Sequence, residues 1–173
     1  LFAEFRLSEA LMTTYRLVWD DFCSWYLELI KPPYGEPIDG ATYTESIAIF
    51  EDLLKMLHPF MPFQTEELWH WVSDRKGPED SLCVAPWPVA GEKDAALLAA
   101  FEPFKSIVSE IRTIRKDNQI PQRDALTLHV QVGEGYPANL EPAMAQLCNL
   151  VEVDQVQDKV PNSFGFVVDK SSF

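Results

Sequence analysis

Arg112, Arg115 and Lys116, with Arg123 shortly after them, form the densest basic cluster of this chain. Guanidinium and ammonium groups grip phosphate oxygens, and the flat guanidinium also stacks on exposed bases. Arg112 and Arg115 are spaced i, i+3 and so are expected on one helix face. The same cluster serves equally well as a solvated basic face or as partners for some of the 27 Asp and Glu residues. Trp19, Trp25, Trp69, Trp71 and Trp87 supply flat apolar planes on which bases can stack. Trp19 and Trp69 fall on apolar helical stripes and are expected in a core. Trp25 and Trp71 are harder to place, because their neighbours Tyr26 and Val72 compete for the same faces.

Other chemistry finds little support. Asp20-Asp21 and Glu66-Glu67 are neighbours in sequence, and adjacent helical residues point about 100° apart, so neither pair is an acid/base dyad. No glycine-rich phosphate loop is present. Cys23, Cys83 and Cys148 are odd in number and far apart, and His58, His70 and His129 do not cluster in sequence. That pattern gives no metal set and is that of reduced thiols in a cytosolic protein. The net charge of −13 excludes broad, nonspecific binding of nucleic acid, so any such contact must be local.

The elements that must position these residues read mainly as helix. With 173 residues, 47% hydrophobic, the chain is that of a globular protein, and no apolar run approaches a membrane span. Phe2 to Ile30 is expected as one long amphipathic helix stopped by Pro32-Pro33. Thr42 and Glu45 make a capping-box pattern before a helix carrying Ile47, Phe50, Leu53, Leu54 and Leu57. Pro59 and Pro62 break the apolar run, so that helix should stop near His58 and a second should restart at Pro62, with Glu66 and Glu67 in its first turn. His58 is expected to cap carbonyls of the ending helix.

From Glu92 onward an alanine- and leucine-rich helix is expected, with Pro103 marking either a kink or a new start. Its stripe of Phe104, Ile107, Val108, Ile111 and Ile114 ends near Asp117-Asn118. The period then changes to two. Leu126 to Val132 and Leu150 to Val156 alternate as half-buried strands, a short helix lies near Pro142, and Phe164 to Val168 is a third strand candidate. The predicted architecture is a mainly α, antiparallel helical bundle over 1–118 and a small α+β region over 119–173.

Two segments carry a resemblance. Leu57 to Trp69, LHPFMPFQTEELW, is similar to the signature of the tRNA anticodon-binding domain of class I aminoacyl-tRNA synthetases for valine, isoleucine and leucine. Tyr15 to Pro32, YRLVWDDFCSWYLELIKP, resembles the valyl branch of that family, which usually reads close to YxFxWDEFCDWYxExxKP. Asp21, Ser24 and Gln64 depart mildly from the usual Glu, Asp and aliphatic residues. The likeness is weaker through Trp87-Pro88 and Ile111 to Arg115, and poor over the last third.

The resemblance implies a helical module that reads the anticodon loop of valine tRNA, within a ligase that attaches valine using ATP and Mg²⁺ in the cytoplasm. The catalytic motifs of that family, His-Ile-Gly-His and Lys-Met-Ser-Lys-Ser, are absent, so no catalysis, cofactor or metal is expected of this chain. Arg16 and Lys31 join Trp25, Trp71, Arg112, Arg115, Lys116 and Arg123 as candidate tRNA contacts because they lie in the best-matching segment. The start at Leu1, inside a helical pattern, reads as a cut that leaves the first bundle helix upstream. An apolar groove exposed by that cut would let the fragment self-associate, whereas the parent is expected to be monomeric. An isoleucyl or leucyl synthetase, or a noncatalytic helical module that binds protein, is the alternative.

Overall fold

Two prolines bend this chain where their covalent limits require. In the computed structural model, which describes residues 1–161 and 163–173, helix α3 (Gly40–Leu57) ends at His58, whose amide donates to Leu54 O at 2.9 Å. Helix α4 (Pro62–Val72) starts with Pro62 at its first position. Between them the Leu57 carbonyl accepts from both Phe60 N and Met61 N. Glu66 and Glu67 lie beyond the first turn of α4, which holds no acid. Glu66 instead accepts from Leu82 N, at 3.2 and 3.1 Å to its two oxygens. Burial pushes its carboxyl upward, but hydrogen bonds from Ser81, Leu82 N and His70 outweigh that and hold it below the ordinary glutamate value.

The start of α3 differs from expectation. Asp39, not Thr42, is the N-cap, and its carboxylate accepts from Thr42 N at 2.9 Å. Both Asp39 and Thr42 suit a cap, and the earlier one wins because the two residues between, Gly40 and Ala41, also wind into helix. The bonds from Thr42, side chain and then backbone, hold the Asp39 carboxyl below its ordinary 3.8. A depressed folded value means stability that is present above 3.8 and lost as pH falls through the lower value. Asp39→Asn keeps a capping acceptor without that titration. Its unfolding midpoint is therefore expected to fall less steeply with acid than the parent's below this range; parallel acid limbs would contradict the assignment.

The first helix is not one uniform rod. A 3₁₀ turn at Phe2–Glu4 ends at Phe5 in the left-handed conformation (φ 57°). Helix α1 (Leu7–Arg16) then continues as a π-helical segment, Leu17–Tyr26, and closes with one α-turn, α2 (Leu27–Leu29). The widened winding is supported at i, i+5 by Ser24 Oγ donating to Trp19 O at 2.8 Å. Runs of π-helix are rare, and are frequent at functional sites. This one coincides with the WDDFCSWY stretch that carries the resemblance. Phe22 is buried and stacks on Tyr26 and Phe50, with centroids 5.5 and 6.0 Å apart.

Packing divides the chain into Leu1–Gly91 and Glu92–Phe173. The core of the first unit is Leu54, Trp69 and Leu82, with Phe50, Val72 and Ala85 against them. Short 3₁₀ turns at Pro78–Asp80 and Leu82–Val84 bring Leu82 onto α4. In the second unit, α5 (Ala95–Asp117) starts at Asp94, which accepts from Leu97 N, and runs unbroken through Pro103. The proline takes away the donor to the Ala99 carbonyl, and Ala99 is exposed, so water replaces it.

The buried stripe of α5 packs on α6 (Glu141–Cys148). Strands β1 (Leu126–Val130) and β2 (Leu150–Gln155) flank α6 in sequence and pair in parallel, with a register shift between Leu126 and Thr127. A β-α-β unit is what parallel neighbours require, since a tight turn cannot connect them. The last strand candidate shortens to a two-residue pair, β3 (Val167–Val168) with β4 (Ser171–Ser172). Glycine is required at position 133, because a Cβ there would lie 2.1 Å from the Lys170 carbonyl oxygen. The fold is mainly α. Packing groups α5 with the strands, whereas the change of hydrophobic period falls after α5, at 118/119.

Candidate nucleic-acid interface

The basic cluster is built on the last turns of α5. Phe104, Ile107, Val108, Ile111 and Arg115 are its buried positions. Arg115 therefore continues the apolar stripe one turn beyond Ile111, whereas Arg112, three positions earlier, is exposed. Only 3% of Arg115 is exposed, and its guanidinium donates to Pro121 O (3.0 Å), Cys148 O (2.7 Å) and Asn149 O (3.3 Å). Its Nε has no partner among the described residues. A fork of donors aimed at carbonyls from two chain segments is a structural clasp, and it takes Arg115 out of reach of any ligand.

The clasp shapes what surrounds it. Asn149 closes α6 in the left-handed conformation (φ 50°), and its amide donates to Gln122 O at 3.0 Å. Gln122 in turn donates to Leu147 O at 3.3 Å. Gln119, also left-handed (φ 56°), turns the chain after α5. The loop that bears Arg123 is thereby pinned to the end of α6. Arg112 and Lys116 are exposed at i, i+4 on α5, and Arg123 has 88% of its side chain exposed, 3.8 Å from Asp124. Arg112 and Arg115 both pull the Cys148 thiol downward, yet burial prevails and lifts it to about 11. Cys148 is thus a protonated core residue.

In the first unit the aromatic residues sort differently from expectation. Trp69 is in the core at 6% exposure, but Trp19 is 58% exposed and lies against Tyr15 in a stack with centroids 6.4 Å apart. The π-helical winding rotates Trp19 off the stripe that an α-helical period would give it. Trp71 is 80% exposed, its indole N–H donating to Glu67 at 3.1 Å, and Trp25 is half-buried. Arg16 is exposed at the last position of α1, and Lys31 is exposed and paired with Glu28 across one helical turn. Such a surface ion pair is worth little, so it yields easily to another anion.

His58 does not cap carbonyls. Its Nδ1 lies 2.8 Å from Thr65 Oγ1 and its Nε2 3.2 Å from Cys83 Sγ. Nothing in the spacing of residues 58, 65 and 83 announces that meeting.

Exposed cations and aromatic planes are groups that bind phosphates and stack on flat rings. Comparison with known proteins fits that reading. The family model described as the anticodon-binding domain of tRNA ligase matches residues 1–132. The chain is 46% identical, over all of its length, to a valine–tRNA ligase of Phocaeicola vulgatus. It is 46% identical over 99% of its length to that of Parabacteroides distasonis, and 38% over 99% to that of Christiangramia forsetii. The chain spans 20%, 19% and 20% of the length of these relatives, respectively. The chain belongs to the family of anticodon-binding domains of tRNA ligases.

Proposed function

We propose that this chain is the anticodon-reading part of a valine–tRNA ligase, which joins valine to its tRNA with ATP and Mg²⁺ in the cytoplasm. The observation that carries this reading is the family match over residues 1–132, together with valine–tRNA ligases that align along the whole chain. Residues 1–118 act in this reading as an antiparallel helical bundle that receives the anticodon loop, and 119–173 as a small α+β region that follows it.

Single-stranded loops are bound by stacking splayed bases on flat side chains and by cations along the backbone. Trp71 and Trp25 are the stacking candidates. Arg16 and Lys31 in the first unit, and Arg112, Lys116 and Arg123 in the second, are the phosphate candidates. Arg115 acts only by holding the Arg123 loop in place. ATP and Mg²⁺ are assigned none of these residues. Asp39 and Asp94 cap the starts of α3 and α5 with their own carboxylates, and α4 begins with a proline, so none of these helix starts presents an open phosphate cradle.

Alanine at Arg112, Lys116 or Arg123 is expected to weaken binding of an anticodon stem-loop by a similar factor whatever its sequence. Each lost phosphate contact should lower the salt slope by about 0.7. Trp71→Ala should instead cost about 1–3 kcal/mol of affinity with the slope unchanged. Titrations at several salt concentrations check both. Unchanged affinity and slope in all three basic variants would remove the cluster from the interface.

A further inference from the structure

The proline corner gathers three side chains of metal-ligating type from three separate segments. His58 lies at the end of α3, Glu66 on α4 and Cys83 in the 3₁₀ turn that follows, and one donor atom from each lies within 4.8 Å of the others. Their orientation is set by partners outside the trio. The Thr65 hydroxyl donates its proton to Met61 O at 2.9 Å, so its oxygen accepts from His58 Nδ1–H at 2.8 Å. That fixes the tautomer and leaves a lone pair on Nε2, which points at Cys83 Sγ. Orientation of a metal-binding imidazole through its other nitrogen is the usual arrangement at such sites.

Glu66 also has His70 Nε2 3.2 Å from its Oε1, with His70 Nδ1 held 3.1 Å from the Arg75 carbonyl oxygen.

We propose that His58 Nε2, the Cys83 thiolate and a Glu66 carboxylate oxygen form a binding site for a divalent cation of the zinc class. Zinc–nitrogen and zinc–sulfur bonds of about 2.0–2.1 and 2.3 Å at the tetrahedral angle place N and S roughly 3.5 Å apart. The observed 3.2 Å needs only a small opening. A thiolate with an imidazole selects zinc-like ions over magnesium or calcium, which take oxygen ligands. Binding releases the thiol proton to solvent. Glu66 keeps its bond to Leu82 N through the other oxygen, and the fourth position is left to water. Cys83 is exposed, so an ion can enter from solvent. The bound ion would tie the ends of the corner to the 82–84 turn and raise the stability of the first unit.

Cobalt(II) is the probe, added to the reduced 173-residue chain carrying Cys23→Ser so that Cys83 is the only accessible thiol. The expected result is a thiolate-to-cobalt charge-transfer band saturating at one equivalent, with visible bands of tetrahedral strength. Zinc should displace it and raise the thermal midpoint. Adding Cys83→Ser should abolish the band without unfolding the chain, since that side chain is exposed, and Glu66→Gln should shift the titration to higher cobalt. Absence of the band at millimolar cobalt in a chain that circular dichroism shows to be folded would overturn the proposal. So would a band that survives Cys83→Ser.

Discussion

Arg115→Ala is expected to destabilise the second unit by about 3–5 kcal/mol, since each carbonyl that loses a charged donor and stays away from water costs about 1–3 kcal/mol. The three carbonyls involved are those of Pro121, Cys148 and Asn149, which lie in the loop after α5 and at the end of α6. Domains are stable by only about 5–15 kcal/mol, so the loss is a large part of the whole. Arg115→Lys keeps a charge but not the planar fork, and should recover less than half of it. Arg112→Ala, one turn away and exposed, should cost far less. Urea unfolding of the three variants measures the difference. If Arg115→Ala lost under 1 kcal/mol while Arg112→Ala lost more, the clasp would be misassigned.

Trp69→Ala should cost the first unit about 3–5 kcal/mol, as truncation of a buried aromatic side chain does. The indole packs between Leu54 and Leu82, and its N–H donates to Asp80 O at 2.8 Å. The Arg75 guanidinium lies 3.5 Å from the ring centroid while also bonding the Trp69 carbonyl and the Glu51 carboxylate. One side chain thus fills the core, fastens the loop after α4 and seats a cation. Trp69→Phe retains the ring but loses the N–H bond, and should cost about 1–3 kcal/mol because the Asp80 carbonyl is left without its donor. Denaturant midpoints separate the two variants. Equal losses for alanine and phenylalanine would mean that the hydrogen bond, not the packing, dominates.

These two residues show what a sequence does and does not disclose. Trp69 sits on an apolar stripe at helical spacing, and its burial was legible there. Arg115 stands one turn after Ile111 on the same stripe, but its residue type argues for solvent, and the carbonyls that reverse that argument lie on residues as distant as 148 and 149. The proline corner was legible because proline acts locally through its missing N–H. The placement of Glu66 was not, since its partner Leu82 is brought in by the following loop. Likewise, apolar residues from Val18 to Tyr26 fit an α or a π winding equally well. Only the structure showed that Trp19 turns outward while Phe22 turns in. His58 and Cys83 meet across 25 positions with no spacing signal at all.

The anticodon-reading role is tested most directly by titrating the chain with the anticodon stem-loop of valine tRNA beside those of isoleucine and leucine tRNA, at low and moderate salt. The expected result is a preference for the valine loop that persists as salt rises, because base contacts survive screening while phosphate contacts weaken. Equal affinity for the three loops, or binding that disappears altogether at moderate salt, would contradict valine anticodon reading by this chain.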